Sequence, residues 1–283
     1  MTASGPFKTS GGVSHKTRAT SERFGYGWTA AGLPDPVTAP IAYHLHVMQT
    51  ALGAPPFKGL ILDAGCGEGI DLASAGLSPD CRAVGVELSP GGIRAASARI
   101  SSVPRARLVQ GDVLSLPFPA NVFDGAYSYG VVHHTVDPRR AVREIVRALK
   151  PGGPVLIYVY ETFERRPWPW RIALAATNAV RRPISAMSPR NIRRLCAVVA
   201  PVVYATCTIP SRHFSWASRL PYPATQNPTM TSLIPDLYDR FAAPIEERYS
   251  EEGARTLVEQ AGCRVRAVAN IRGWAVWGEK VSP

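Results

Sequence analysis

Residues 59–69 read GLILDAGCGEG: an apolar run ending on Asp63, then glycines at 65, 67 and 69 where a helix begins. A strand that turns through three alternate glycines into a helix constrains a chain strongly, because only residues without a Cβ let the backbone turn so tightly and approach a ligand so closely. The N–H groups freed by such a turn face outward and suit a polar or anionic group. Glu87 closes the next strand, where a carboxylate can accept both hydroxyls of a ribose across the crevice. Nicotinamide dehydrogenases share these two features, so the pair defines a nucleoside-type site without choosing its ligand.

The same strand-helix rhythm continues along the chain. Gly59–Ala64, Cys81–Glu87, Arg107–Gly111, Val122–Ser128 and Pro154–Tyr160 read as five buried strands, with helices between them. Ser89-Pro90 and Asp137-Pro138 each put a capping oxygen before a proline at the first helical position, and Pro151-Gly152-Gly153 stops the second of these helices. Ser250, followed by two acids, opens a last helix that Gly262 ends. Arg264–Ala269 and Trp274–Glu279 are joined by so short a link that they must run antiparallel. The expected fold is therefore α/β: a Rossmann-like, doubly wound, seven-stranded, mostly parallel sheet with one antiparallel edge strand. Residues 1–20 are poor in apolar residues and are expected to be a disordered arm, and 21–58 a helical and aromatic cover. The core spans 59–160, an arginine-rich inserted cap 161–249, and the closing helix and hairpin 250–283. Within the cap, a helix is expected from Ser188-Pro189 to about Val203, kinked or shortened by Pro201.

Further motifs narrow the class. Gly111-Asp112-Val113 is followed by Leu116-Pro117-Phe118, then Phe123-Asp124, the loop Tyr129–Thr135 with its paired His133 and His134, and Lys150-Pro151-Gly152-Gly153. In this order the sequence resembles the class I S-adenosylmethionine-dependent methyltransferases of the ubiquinone and menaquinone C-methylase kind, firmly over 59–160 and loosely over 250–280. The resemblance implies S-adenosylmethionine as cofactor. It implies that Asp63, Gly65, Cys66, Gly67 and Gly69 meet the methionyl part and that Glu87 holds the ribose. Leu88 would pack on the adenine, Asp112 accept from its amine and the Val113 N–H donate to a ring nitrogen, and Tyr129 is expected among the cofactor-binding residues. Tyr26 and Trp28, in the cluster Arg23–Trp28, would fold over the cofactor or acceptor, or else pack the N-terminal segment on the core.

Methyl transfer needs an acceptor held in line, water excluded and, for some acceptors, a base. His133 and His134 are the first candidates for that base, with a purely positional role as the alternative, and Tyr160 and Glu161 at the end of the fifth strand come next. No spaced His/Asp/Glu set suggests a metal. The five cysteines, unpaired in spacing, read as small buried residues.

Charge is uneven. Of a net +11, the stretch from Arg165 to Arg219 contributes ten arginines and no acid. Arginine grips phosphate and carboxylate in bidentate fashion. Arg165, Arg166 and Arg171, with Trp168, are therefore expected to bind a small anionic acceptor: a phosphate-, diphosphate- or carboxylate-bearing intermediate of biosynthesis or secondary metabolism. The alternatives are a membrane-surface methyltransferase of lipid, quinone or glycolipid, and a catalytically silent cofactor-binding module. Nucleic acid is disfavoured, as no RNA-binding module or base-pocket motif is visible. Neither a signal sequence nor an uninterrupted apolar span is seen, so a cytoplasmic monomer or homodimer without a transmembrane segment is expected, with peripheral membrane contact left open.

Overall fold

The computed structural model describes residues 14–30, 32–36, 44–220, 222–224 and 229–282. Its sheet has seven strands: β1 (Gly59–Ala64), β2 (Cys81–Glu87), β3 (Ala106–Gln110), β4 (Gly125–Tyr129), β5 (Pro154–Val159), β6 (Cys263–Asn270) and β7 (Trp274–Lys280), in the order β3-β2-β1-β4-β5-β7-β6. The first five strands pair in parallel, and β7 runs antiparallel to both of its neighbours. The reversed strand thus lies one place in from the edge, with β6 outermost. Strand order reverses between β1 and β4, and at such a switch point the loops leaving the two strands diverge and leave a crevice. The glycine loop follows β1 and the His133-His134 loop follows β4, so the topology places both at that crevice.

Helices cover both faces because β1, β4 and β5 are apolar on both sides. On one face, α5 (Pro138–Ala148) and α10 (Glu251–Glu259) pack Val142, Ile145, Leu257 and Val258 against Leu62, Val155 and Ile157. On the other, α2 (His44–Leu52) presses Met48 and Leu52 onto Ile61, Tyr127 and Leu156. The helix starts follow the sequence signals. Ser89 accepts from the Gly92 N–H ahead of α4 (Pro90–Arg99), Asp137 from Arg140 ahead of α5, and Ser250 from Gly253 ahead of α10. The glycine loop leads into α3 (Ile70–Leu77), with Gly69 in the left-handed region as its cap.

Two expectations change at the N-terminal side and in the cap. Residues 1–13 lie outside the described residues, but the arm expected over 1–20 does not extend through its last residues: α1 (His15–Thr29) begins at His15, capped by the Ser14 hydroxyl accepting from Thr17 N–H. The cap holds α6 (Trp168–Ile184), α7 (Pro189–Val203), the single turn α8 (Pro210–His213) and α9 (Met230–Ala242). Pro201 does not end the helical run. The chain continues through a π turn at Tyr204–Thr208 into α8, the wider turn following the residue whose missing N–H loosens the ladder. The run Pro189–His213 is consequently 25 residues, long and apolar enough by length and composition to cross a membrane. A search for uninterrupted apolar residues misses it, because Arg193, Arg194 and the threonines break the run. One face of α7, through Ile192, Cys196 and Ala200, packs with Leu233, Leu237 and Tyr238 of α9, and Tyr26 of α1 joins that cluster.

Candidate functional site

The crevice is built first by backbone. Gly65, Gly67 and Gly69 have φ of 87°, 54° and 81°, the left-handed region that side chains disfavour. A Cβ on Gly65 would lie 2.4 Å from Val131, so the glycine loop and the histidine loop are in direct contact across the switch point. Glu87 is buried, and its carboxylate accepts the Gly67 N–H at 3.2 Å and the Ser89 N–H at 2.7 Å. Burial pushes its carboxyl above the ordinary range, against the pull of the Ser89 and Gly67 donors. Asp63 is also buried and accepts from the Tyr127 hydroxyl at 2.8 Å; burial first, then the nearby Asp71, raises it well above the usual carboxylate value. Burial raises the Cys66 thiol as well, which fits a space-filling residue and not a nucleophile.

The far side of the crevice is set by β3. Asp112 turns its carboxylate onto the Leu114 N–H at 2.9 Å, and Val113 is buried beside it. Leu88, half-buried, follows Glu87. Tyr129, at the end of β4, is sandwiched between His44 (ring centroids 3.8 Å) and Tyr158 (4.2 Å). His44 is tied in turn to Asp71 at 3.0 Å. From above, α1 lays Trp28 over the loop: its ring lies 3.0 Å from where a Gly67 Cβ would be and 2.9 Å from where a Gly92 Cβ would be. Phe24 stacks on Trp28 and reaches His134 at 5.2 Å. Tyr26 points elsewhere, to Tyr238 in the cap.

The four residues proposed for catalysis separate. His134 is fixed, its Nδ1 bonded to the Ile245 carbonyl at 2.6 Å. Glu161 is fixed too, paired with Arg166 and accepting from Asn270 at 3.1 Å on the far side of the β5 end. His133 is fully buried and neither ring nitrogen has a hydrogen-bond partner; burial, together with His134, Arg248 and Arg240, holds it well below the ordinary imidazole value. Tyr160 packs on it at 4.2 Å between ring centroids. Arg240 and Arg248 stand over the Tyr160 ring at 5.7 and 5.4 Å, and Glu246 is gripped by Arg181 at 2.9 Å and Arg248 at 2.7 Å. Three arginines therefore surround one carboxylate beside a neutral histidine.

The arginines chosen from sequence are not in this cluster. Arg165 pairs with Glu251 and Arg166 with Glu161, lining with Asn270 and Trp274 an open cleft of about 480 Å³ that adjoins the cluster through Glu161, whose carbonyl accepts from Arg248. Trp168 and Arg171 are exposed on α6, which buries none of its residues, so the structure does not bring them to the strand ends. Their side chains follow the helix surface, whereas Arg240 and Arg248 are delivered by α9 and by the segment returning from the cap to β5. That segment bonds Glu247 N–H to the His133 carbonyl and Tyr249 N–H to Tyr160. No periodicity in the sequence marks such a return path, so Arg240, Glu246 and Arg248 went unread. Among the described residues no cluster of metal-ligating side chains occurs.

The strand order β3-β2-β1-β4-β5-β7-β6 with β7 alone reversed, carrying the glycine loop and the acidic second strand end at the β1/β4 switch point, is a Rossmann-like methyltransferase fold. Comparison with known proteins agrees. Residues 62–157 match the methyltransferase domain family. Demethylmenaquinone methyltransferase of Symbiobacterium thermophilum is 36% identical over 33% of this chain and 39% of its own length. The tRNA (carboxymethyluridine(34)-5-O)-methyltransferase of Arabidopsis thaliana is 40% identical over 37% of this chain and 25% of its own. These matches span well under half the length of the curated relatives. A chain of the complex between a Haloferax volcanii methyltransferase activator and its methyltransferase aligns with a TM-score of 0.52 at 17% identity, over 84% of this chain and 91% of that one, a likeness of fold.

Proposed function

We propose that the protein transfers a methyl group from S-adenosylmethionine to a small anionic acceptor. The convergence that supports the cofactor is the Gly67 N–H on the buried Glu87 carboxylate, beneath glycines whose Cβ positions are already taken up by close neighbours. The residues present fit that compound: Glu87 for the ribose hydroxyls, the Val113 N–H and Asp112 for the adenine edge, the loop at 65–69 for the methionyl part. When bound, S-adenosylmethionine would supply a methyl on a sulfonium to an aligned acceptor, with S-adenosylhomocysteine as the leaving group. The chain's own residues do the rest. Phe24 and Trp28 exclude water from above, and His133, buried and held neutral with Tyr160 packed on it, walls the strand-end side.

Arg240 and Arg248 make the strand-end cluster cationic, which is the observation favouring an acceptor with a phosphate or carboxylate. Relatives acting on tRNA match only a segment about the size of the core, whereas these arginines come from the cap and the segment after it. Calorimetry with S-adenosylhomocysteine and a nicotinamide dinucleotide side by side tests the cofactor, and binding of the second alone sinks the reading. Label transfer from methyl-labelled cofactor to matched charged and neutral acceptors tests the anion. Arg240→Met should raise the KM of the charged acceptor while leaving S-adenosylhomocysteine affinity alone.

A further inference from the structure

The outer face of the cap breaks the rule that a surface helix shows water its polar side. Along the run Pro189–His213, Ile192, Cys196 and Ala200 face inward to α9, so the opposite face should be polar. It is not: Val198 is 74% exposed and Val202, one turn on, 62%, and beyond the π turn Ile209 is 41% exposed. The run ends in Phe214 and Trp216, stacked on each other at 6.0 Å and both more than half exposed. Helix α6 repeats the pattern with Trp168, Ile172 and Val180 exposed.

Arginines flank these apolar residues. Arg182, Arg190, Arg194 and Arg212 are exposed around them, and no acid occurs between Arg165 and Arg219. Among the described residues, Arg171, Arg182, Arg190, Arg193 and Arg194 form no ion pair with a carboxylate. We propose that this face of the cap docks on the surface of an anionic lipid bilayer. Val198, Val202 and Trp216 would enter the headgroup boundary, and the arginines would lie among lipid phosphates.

Charge decides among the occupants. A second copy meeting the same face about a two-fold axis would set arginine against arginine with no acid to answer them. Nucleic acid would use the arginines but leave the aliphatic stripe in water. An anionic bilayer satisfies both halves of the surface. Docking here does not depend on the methyl transfer, since the stripe lies on the face of α7 opposite the one packed on α9.

The test is flotation of the full chain with vesicles of phosphatidylcholine alone and with about 30 mol% phosphatidylglycerol added. The chain should float with the anionic vesicles, much less with the neutral ones, and weaken at about 0.5 M salt. V198E/V202E should cut the floated fraction about tenfold or more, with S-adenosylhomocysteine binding and circular dichroism unchanged because both positions are exposed. No flotation on anionic vesicles overturns the proposal, as does a variant that floats like the wild type. A wild-type dimer that V198E/V202E converts to monomer, with no vesicle binding, assigns the face to a second copy. RNA binding indifferent to V198E/V202E, again without flotation, assigns the arginines to nucleic acid. Loss of cofactor binding in a chain that still floats would count against the proposed function and not against this surface.

Discussion

Trp28 lies on Gly67: an indole from the first described helix rests 3.0 Å from where a Cβ at the centre of the glycine loop would be. The contact explains why glycine is needed there for space as well as for its φ of 54°. Gly67→Ala should therefore weaken S-adenosylhomocysteine binding about tenfold, and Gly67→Ala/Trp28→Ala should bind more tightly than Gly67→Ala alone. Calorimetry on the four variants of that cycle measures the coupling; strictly additive losses would mean the indole does not constrain the loop.

Glu87 must be ionised to accept from two ribose hydroxyls, and burial raises its carboxyl above 4.5. Affinity for S-adenosylhomocysteine should hence begin to fall, as the pH drops, before an ordinary glutamate would titrate. Glu87→Gln should cost about 1.5–3 kcal/mol of binding, the worth of hydrogen bonds to a charged group, and flatten that acid limb. A pH series by equilibrium dialysis on both proteins decides it.

His133 is buried neutral, so acid acts through the unfolded chain. Below about pH 6.5 the unfolded imidazole takes a proton that the folded one refuses, and the folded state loses up to about 1.4 kcal/mol per pH unit from this residue as pH falls further. Above pH 6.5 neither state is protonated and the penalty vanishes. His133→Phe should remove this share of the acid sensitivity. The check is urea unfolding of both proteins between pH 5 and pH 8 on the scale set by that linkage, where two parallel stability curves would refute it.

Glu246 holds Arg181 and Arg248 in a nearly dry site, its side chain 1% exposed. Glu246→Ala strands two arginines and should destabilise by about 3–5 kcal/mol, while Glu246→Leu with Arg181→Met should recover part of the loss. Thermal unfolding of the single and double variants reads the difference directly.

What the sequence disclosed follows the range of its signals. Every parallel strand, the caps Ser89, Asp137, Ser188 and Ser250, and the glycine loop with Glu87 rest on residues near one another in the chain, where periodicity and turn chemistry act. The cationic cluster does not. Arg248 reaches Tyr160 across 88 positions and Arg240 across 80, and nothing local to either end announces the meeting. The arginine density of the cap was visible in the same local way, but the side of the helix on which each arginine emerges was not. The helix beginning at His15 was hidden for another reason, since its partners, Ser89 and Gly91 against Gly25 and Tyr238 against Tyr26, come from distant parts of the chain.

Strand β7 slots between β5 and β6, although the whole cap separates it in sequence from β5. Half of the β5 ladder therefore stays open until a hairpin made far downstream arrives and inserts, closing a loop of great length. Assembly of the sheet and assembly of the cap are thereby put in sequence: a nascent core can bury its first four strands early, but the last edge of β5 remains a sticky, unpaired surface while the cap is made, and chaperone dependence should be concentrated in that interval.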